Sequence, residues 1–455
     1  MSVYTGDKMA NLIKVLTDEA IRNNTIAPEQ FKQHGIKRAL RNEDGTGVKT
    51  ILTEISDVRG YKIGKGKVPI EGHLIYRGIE IVDLVEGFLA EGRHGFDDTA
   101  YLLLFGKLPN QKMAANFSSR LARKRALPEG FVRGSILSFP SPDIMNKLIA
   151  SVSVLYREDK NRESMDIDNV ISESINLIAQ LPAIVAYSYH ANKYHNEKGT
   201  FTIRRPDTSL TTAENFLYML RSDGQYDPLE ASILDMMLVL HADHGGGNNS
   251  TFTTHTVTSS WTDTYSCLAA SLASLKGSRH GGANAKVMAM MDEIKEAVSD
   301  WSSERQVAGY LKKILKKEAG DRSGLIYGMG HAVYTKSDPR AVLLRKKASE
   351  IANSKGRTDE FNLYESIAQV TSDLMKQAKG KEFVIAPNVD YYSGFVYDCM
   401  GIPSEVYTPL FAMSRIAGWS AHRIEELVSS GGIIRPASVY VGPSNVSYVP
   451  LKERG

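Results

Sequence analysis

The sequence predicts a mainly α-helical protein with one small β element near its N-terminus. Three observations support that class. Apolar residues recur at helical spacing along most of the 455 residues, in runs separated by short Gly, Pro or Asp breaks. Several of these runs open on an explicit helix start. Strand-like pieces with turn glycines are concentrated in residues 51–81, as in "VRGYKIGKGKVPIEGHLIYRG".

Along the chain, "DPLE" at 227–230 offers an Asp cap, a first-turn proline and a capping-box Glu. The run after it, "ASILDMMLVLHADHGGG", is apolar on most sides, the pattern of a buried helix, and glycines 245–247 end it. "SCLAASLASLKG" sets Ala269, Ala270, Ala273 and Ser274 where small side chains allow close helix contact, inside the protein or at a subunit seam. Asp338-Pro339 is a second Asp-Pro helix start. "NVDYYSGFVYDCMGIP" closes with Gly401 past the helix end and Pro403 beyond it. "TPLFAMSRIAGWSAHRIEELV" opens on Thr408-Pro409. No fixed-period repeat or low-complexity tract interrupts the series.

Apolar residues make up 42% and charged residues 24%, ordinary for a soluble globular protein. A formal net charge of +3 gives no footprint for nucleic acid or a membrane surface. No stretch reads as long and apolar enough to span a bilayer. The first residues lack both a secretory core and the Arg-rich character of a transit peptide. Cys267 and Cys399 lie in apolar helical patterns and suggest no disulfide framework. The expectation is a cytoplasmic protein with neither nucleic acid nor membrane as partner.

The informative residues are polar groups that cost energy where they stand. His241 and His244 fall in the last turn of the buried helix, where the negative helix end favours imidazolium. With Asp243 they could form a metal set, but the spacing is not His-Glu-x-x-His and no cysteine joins it, so no metal is expected. His280 lies between a C-cap glycine and the next helix. It is either an ordinary loop histidine or a neutral imidazole able to donate to a developing oxyanion. Arg340 occupies a first helical turn, which disfavours a cation, a few residues from His331 held on "GMG". An anion bound between them would account for both. Arg415 is mid-helix among apolar neighbours, so its guanidinium requires an anionic partner or a stem that snorkels to solvent. Arg435 begins the extended "RPASVYVGP". Asp390 stands near a helix start, where capping is the first explanation to consider. "GMG" lacks the third glycine of a dinucleotide fingerprint.

Taken in order, "HADHGGGNNSTFTTH", "HGGAN", "GMGHAVYTKSDPRA", "NVDYYSGFVYDCMGIP", "YTPLFAMSRIAGW" and "IIRPASVYVGP" resemble citrate synthase, over residues 227–443, with a looser match at "HLIYRGIEIVDLV". The resemblance implies a large helical domain from 1–280 and 396–455, and a mobile small domain at 281–395 on the CoA side. It also implies a homodimer or higher homo-oligomer with the active site in the cleft. It assigns His280, His331 and Asp390 to catalysis. His244, Arg340, Arg415 and Arg435 are assigned to oxaloacetate, the last from a partner subunit. Gly328, Met329, Gly330 and Lys336 are assigned to CoA. The activity implied is the Si-type condensation of acetyl-CoA with oxaloacetate, in the tricarboxylic acid cycle, with acetyl-CoA a substrate and no cofactor or metal. The family leaves 2-methylcitrate synthase, using propionyl-CoA, as the alternative; outside it stand a metal-dependent hydrolase and a non-catalytic helical dimer. Many bacterial relatives have arginine after this histidine, whereas this chain has Ala332, as mitochondrial forms do. Thr335 stands where those forms have a CoA-contacting arginine, with Lys336 beside it.

Overall fold

The computed structural model describes residues 6–64, 66–429 and 431–454. The chain divides into two compact units, one of residues 1–50 with 435–455 and one of residues 51–434. In the first, helices Gly6–Asn24 and Pro28–Gln33, a single 3-10 turn at Arg38–Leu40 and a short bridge between Arg41 and Gly47 are the regular elements before residue 50. The second unit holds the remaining long helices and the sheet, so the expected mainly α class is what the fold shows.

The β element is a three-stranded antiparallel sheet of β1 (Ser56–Gly64), β2 (Gly66–Tyr76) and β3 (Ile79–Glu80). β1 and β2 pair from Ser56 opposite Tyr76, with an irregularity between Arg59 and Tyr61. Two glycines bring this hairpin against the 333–337 loop. A Cβ on Gly60 would stand 2.3 Å from the Val333 carbonyl oxygen, and one on Gly72 would stand 2.1 Å from that of Ser337. Only a residue without a side chain permits either approach.

The core is built around helix Ile167–Glu197, which packs against helix Tyr407–Ser429. This helix has the length and composition to cross a membrane, contrary to the expectation that no stretch does; most of its apolar window is buried inside the protein, as in a core helix. Helix Pro228–His241 starts on the capping box of Asp227 and Glu230. It ends one turn earlier than expected: His241 is its last residue, and His244 lies beyond it, before Gly245 turns the chain at φ 82°. Helix Pro339–Ser354 is capped by Asp338. Helix Val389–Cys399 is capped by Asn388, whose side chain accepts from the Asp390 amide at 2.9 Å. Asp390 is therefore not the cap, and its carboxylate is left for other work. Cys267 and Cys399 are both buried and unpaired.

Candidate active site

Six of the seven residues singled out for catalysis and oxaloacetate lie in the second unit. His244 follows the end of helix Pro228–His241 and is buried. Its Nε2 is 3.2 Å from the hydroxyl of Tyr334. Its ring meets that of His331 edge-on, centroids 5.3 Å apart. Tyr334 joins the group from the other side, 4.8 Å from the His331 ring and 5.6 Å from the Arg340 guanidinium.

His331 is fixed by the backbone. Its Nδ1 accepts from the amides of Val333 at 3.0 Å and Tyr334 at 3.2 Å. A nitrogen that accepts carries no proton, so the neutral ring keeps its hydrogen on Nε2. Burial, helped by the positive charge of Arg340, lowers the His331 pKa to about 4. The glycines before it shape the loop: Gly328 and Gly330 have φ of 77° and 84°. Asn388 ties that loop to helix Val389–Cys399, its amide donating to the Gly328 carbonyl and its Nδ2 to that of Gly330, both at 2.8 Å.

Arg340 resolves its awkward position within the chain. Its Nε and Nη2 donate to the two carboxylate oxygens of Asp338 at 3.0 and 2.8 Å, both side chains buried. The same carboxylate accepts from the Val389 amide at 3.2 Å, binding this helix start to the one that bears Asp390. The anion expected beside Arg340 is thus first an internal one.

Arg415 is fully buried and does not snorkel. Its Nε donates to the His241 carbonyl at 2.6 Å. Its Nη1 and Nη2 have no hydrogen-bond partner among the described residues. Burial lowers its pKa to about 10, against the pull of Asp243, so it remains a cation at neutral pH. Asp390, partly buried, is pushed up to about 6: burial raises it, Arg340 and Arg415 oppose, and Asp338 adds to the rise.

His280 sits in the turn between helices Thr264–Lys276 and Ala283–Ala297, its Nε2 2.9 Å from Ser250 Oγ. Ser250 also accepts from Trp419 Nε1 at 3.2 Å and, with the Asn248 amide as oriented, donates to Asn248 Oδ1 at 2.9 Å. Burial, with Arg415 nearby, lowers His280 to about 4, so this imidazole too is neutral. Ser250, Trp419, Tyr334 and Asn388 belong to this arrangement without a local sequence signal that marks them.

Lys336 is exposed and lines a cavity of about 310 Å³ with Ser337, Arg345, Gln369 and Tyr392. Arg435 belongs to the first unit, where it is exposed. The metal spacing weighed for His241, Asp243 and His244 is not realised. The Asp243 carboxylate goes to Ser56, the Gly245 amide and His422. Among the described residues the group with metal-like spacing is His255, His422 and Glu425.

Neutral imidazoles, a raised carboxylate and a buried guanidinium with two nitrogens unpaired among the described residues are the groups an acid–base enzyme uses. The family model described as "Citrate synthase, C-terminal domain" matches residues 45–437. The citrate synthase of Deinococcus radiodurans is 37% identical over 84% of this chain and 93% of its own length. That of Synechocystis sp. is 34% identical over 84% and 89%. Among solved structures, citrate synthase from Pyrobaculum aerophilum superposes with TM-score 0.73 at 31% identity, covering 90% of this chain and 94% of that one. A ternary complex of the Thermoplasma acidophilum citrate synthase with carboxymethyl coenzyme A and oxaloacetate gives TM-score 0.74 at 27% identity, over 90% and 97%. This chain belongs to the citrate synthase family.

Proposed function

We propose that this chain condenses acetyl-CoA with oxaloacetate and water to give citrate and CoA. The observation that supports this most is Arg415, a buried cation with two nitrogens unpaired among the described residues. A buried charge left so is costly unless a bound anion completes it, and a planar carboxylate fits a guanidinium in two parallel bonds. On this reading Arg340 and His244 take the rest of the dicarboxylate. Arg435 of a second copy completes the set in a homodimer.

Each step then has its group. Asp390 takes a proton from the acetyl methyl; a pKa of about 6 leaves it ionised at neutral pH yet a better base than an ordinary aspartate. His280, neutral, donates to the thioester oxygen as the enol forms. His331 presents Nε2–H to the ketone of oxaloacetate, so the new carbon–carbon bond leaves its charge on a hydrogen-bonded oxygen. Hydrolysis of the acyl-CoA thioester follows. Side chains meet each developing charge, and the chemistry asks for no metal or redox cofactor.

CoA lies along Gly328, Met329 and Gly330, with Lys336 on its phosphates. Residues 281–395 close over bound oxaloacetate and exclude water until condensation. The enzyme serves the tricarboxylic acid cycle in the cytoplasm. The test is free-thiol release on mixing protein with acetyl-CoA, with and without oxaloacetate. Release that requires oxaloacetate and yields citrate is the expected result; no release would end this reading.

A further inference from the structure

Beneath the catalytic aspartate lies a small cavity lined by Asp390 and Tyr397 of helix Val389–Cys399, His241, Asn284 of helix Ala283–Ala297, and Thr408 and Phe411 of helix Tyr407–Ser429. It measures about 10 Å³, the scale that admits a single water. Three of its lining side chains are more than nine-tenths buried: His241 is 2% exposed, Asn284 7% and Tyr397 1%. Each carries a buried polar atom with no partner among the described residues, namely His241 Nδ1, Asn284 Oδ1 and the Tyr397 hydroxyl. Buried polar atoms in native proteins are hydrogen-bonded, so three orphans around one cavity call for a common partner.

Packing holds them in place. The His241 ring lies 4.6 Å from that of Phe411, and the Tyr397 ring 5.0 Å from that of Tyr407. Thr408 is already satisfied, donating to the Gly281 carbonyl at 3.1 Å. Asp390 and Tyr397 are seven residues apart on one helix, hence on the same face two turns apart.

We propose that this cavity binds one ordered water, held by Tyr397, His241 and Asn284 against the carboxylate of Asp390, which makes Tyr397 a positioning residue for the catalytic base. The valences match. Water donates its two hydrogens to the Asp390 carboxylate and Asn284 Oδ1, and accepts from the Tyr397 hydroxyl and from Nδ1–H of His241. Four partners, two of each kind, complete its shell. Burial keeps His241 neutral, so it can offer that single hydrogen. Asn284 Nδ2 donates to Ser393 Oγ, which leaves Oδ1 as the free acceptor.

The water hydrogen bond fixes the rotation of the carboxylate and favours its ionised form. The other groups acting on Asp390 are Arg340 and Arg415, which favour the charge, and Asp338, which opposes it. Removing the Tyr397 hydroxyl loosens the water and makes Asp390 easier to protonate.

This inference rests on the proposed condensation, and the tests separate the two. In Tyr397→Phe, with oxaloacetate saturating, the acid limb of kcat/KM for acetyl-CoA moves to higher pH by about 0.7 of a unit, the worth of one neutral hydrogen bond. kcat falls several-fold and KM for oxaloacetate does not change. An unmoved limb with unchanged kcat overturns the proposal. A crystal structure of the wild-type protein shows a water within hydrogen-bond reach of Asp390 and the Tyr397 hydroxyl; a dry cavity overturns the proposal even if the variant fails to fold. Absence of thiol release from the wild type strikes the proposed reaction instead, and the water remains decided by the crystal.

Discussion

Arg340 and Asp338, two residues apart across a helix start, form a buried two-pronged ion pair in which one carboxylate caps the helix, neutralises the guanidinium and receives the Val389 amide. Removing one partner of such a pair leaves an uncompensated buried charge, at a cost of about 3–5 kcal/mol. Asp338→Ala is therefore expected to lose about that much stability in urea unfolding, and Asp338→Ala with Arg340→Met to recover more than half of it. A double variant no more stable than the single one would show that the cap, not the charge, dominates.

Arg415 poses the opposite case, a buried cation whose two outer nitrogens find no acceptor among the described residues. Replacing buried charged groups by apolar side chains of similar size is often stabilising, by about 1–4 kcal/mol. Arg415→Met is expected to raise the unfolding midpoint of the ligand-free protein while abolishing oxaloacetate binding in calorimetry. A loss of stability would mean that the guanidinium contributes to the fold and not only to the site.

Much of the architecture was legible because its signals are local. Asp227, Asp338 and Gly401 mark helix ends through caps and turns that need only neighbouring residues. Arg415 and His280 stood out because each is polar where the surrounding pattern is not. Tyr334 gave no such sign. Its place between His244, His331 and Arg340 depends on a hairpin far away in sequence, whose Gly60 and Gly72 let the 333–337 loop come close. The sequence leaves Asp390 a possible cap because the local rule does not distinguish it from Asn388, two residues earlier. The long helix Ile167–Glu197 contains Pro182 and yet continues through it, supported by packing that no local pattern records.

Ser250 joins His280, Trp419 and Asn248 with one hydroxyl proton to share. If that proton goes to His280 Nε2, the ring keeps its own on Nδ1, with the Asn248 amide turned so that it donates to Ser250. Ser250→Ala frees the ring to take either form. The expected result is a fall in kcat of about 10- to 100-fold, within the range of losing a catalytic donor, with oxaloacetate binding retained. Nitrogen NMR of the wild type should show His280 neutral with Nδ1 protonated, and a mixed tautomer in the variant; an Nε2-protonated wild type would reverse the assignment.

The last expectation concerns Asp390, the base of the proposed reaction. Burial raises Asp390 from an ordinary 3.8 to about 6, so the folded protein binds this proton more tightly than the unfolded chain does. Between those two values the folded state holds the extra proton, and as pH rises through the window the stability contributed by the group is lost. Above it the charged carboxylate is a burden of about 3 kcal/mol. Asp390→Asn carries no such charge. The variant is expected to gain stability over the wild type at pH of about 7.5, with the gain shrinking as pH falls toward about 5, while thiol release drops about 1,000-fold with the loss of the proposed general base. Wild-type turnover should fall with a single-proton slope below pH of about 6. Urea titrations of both proteins at the two pH values check the first part and initial rates the second. A stability difference that does not change with pH would mean that burial is not what tunes this carboxylate, and the acid limb of activity would then belong to another group.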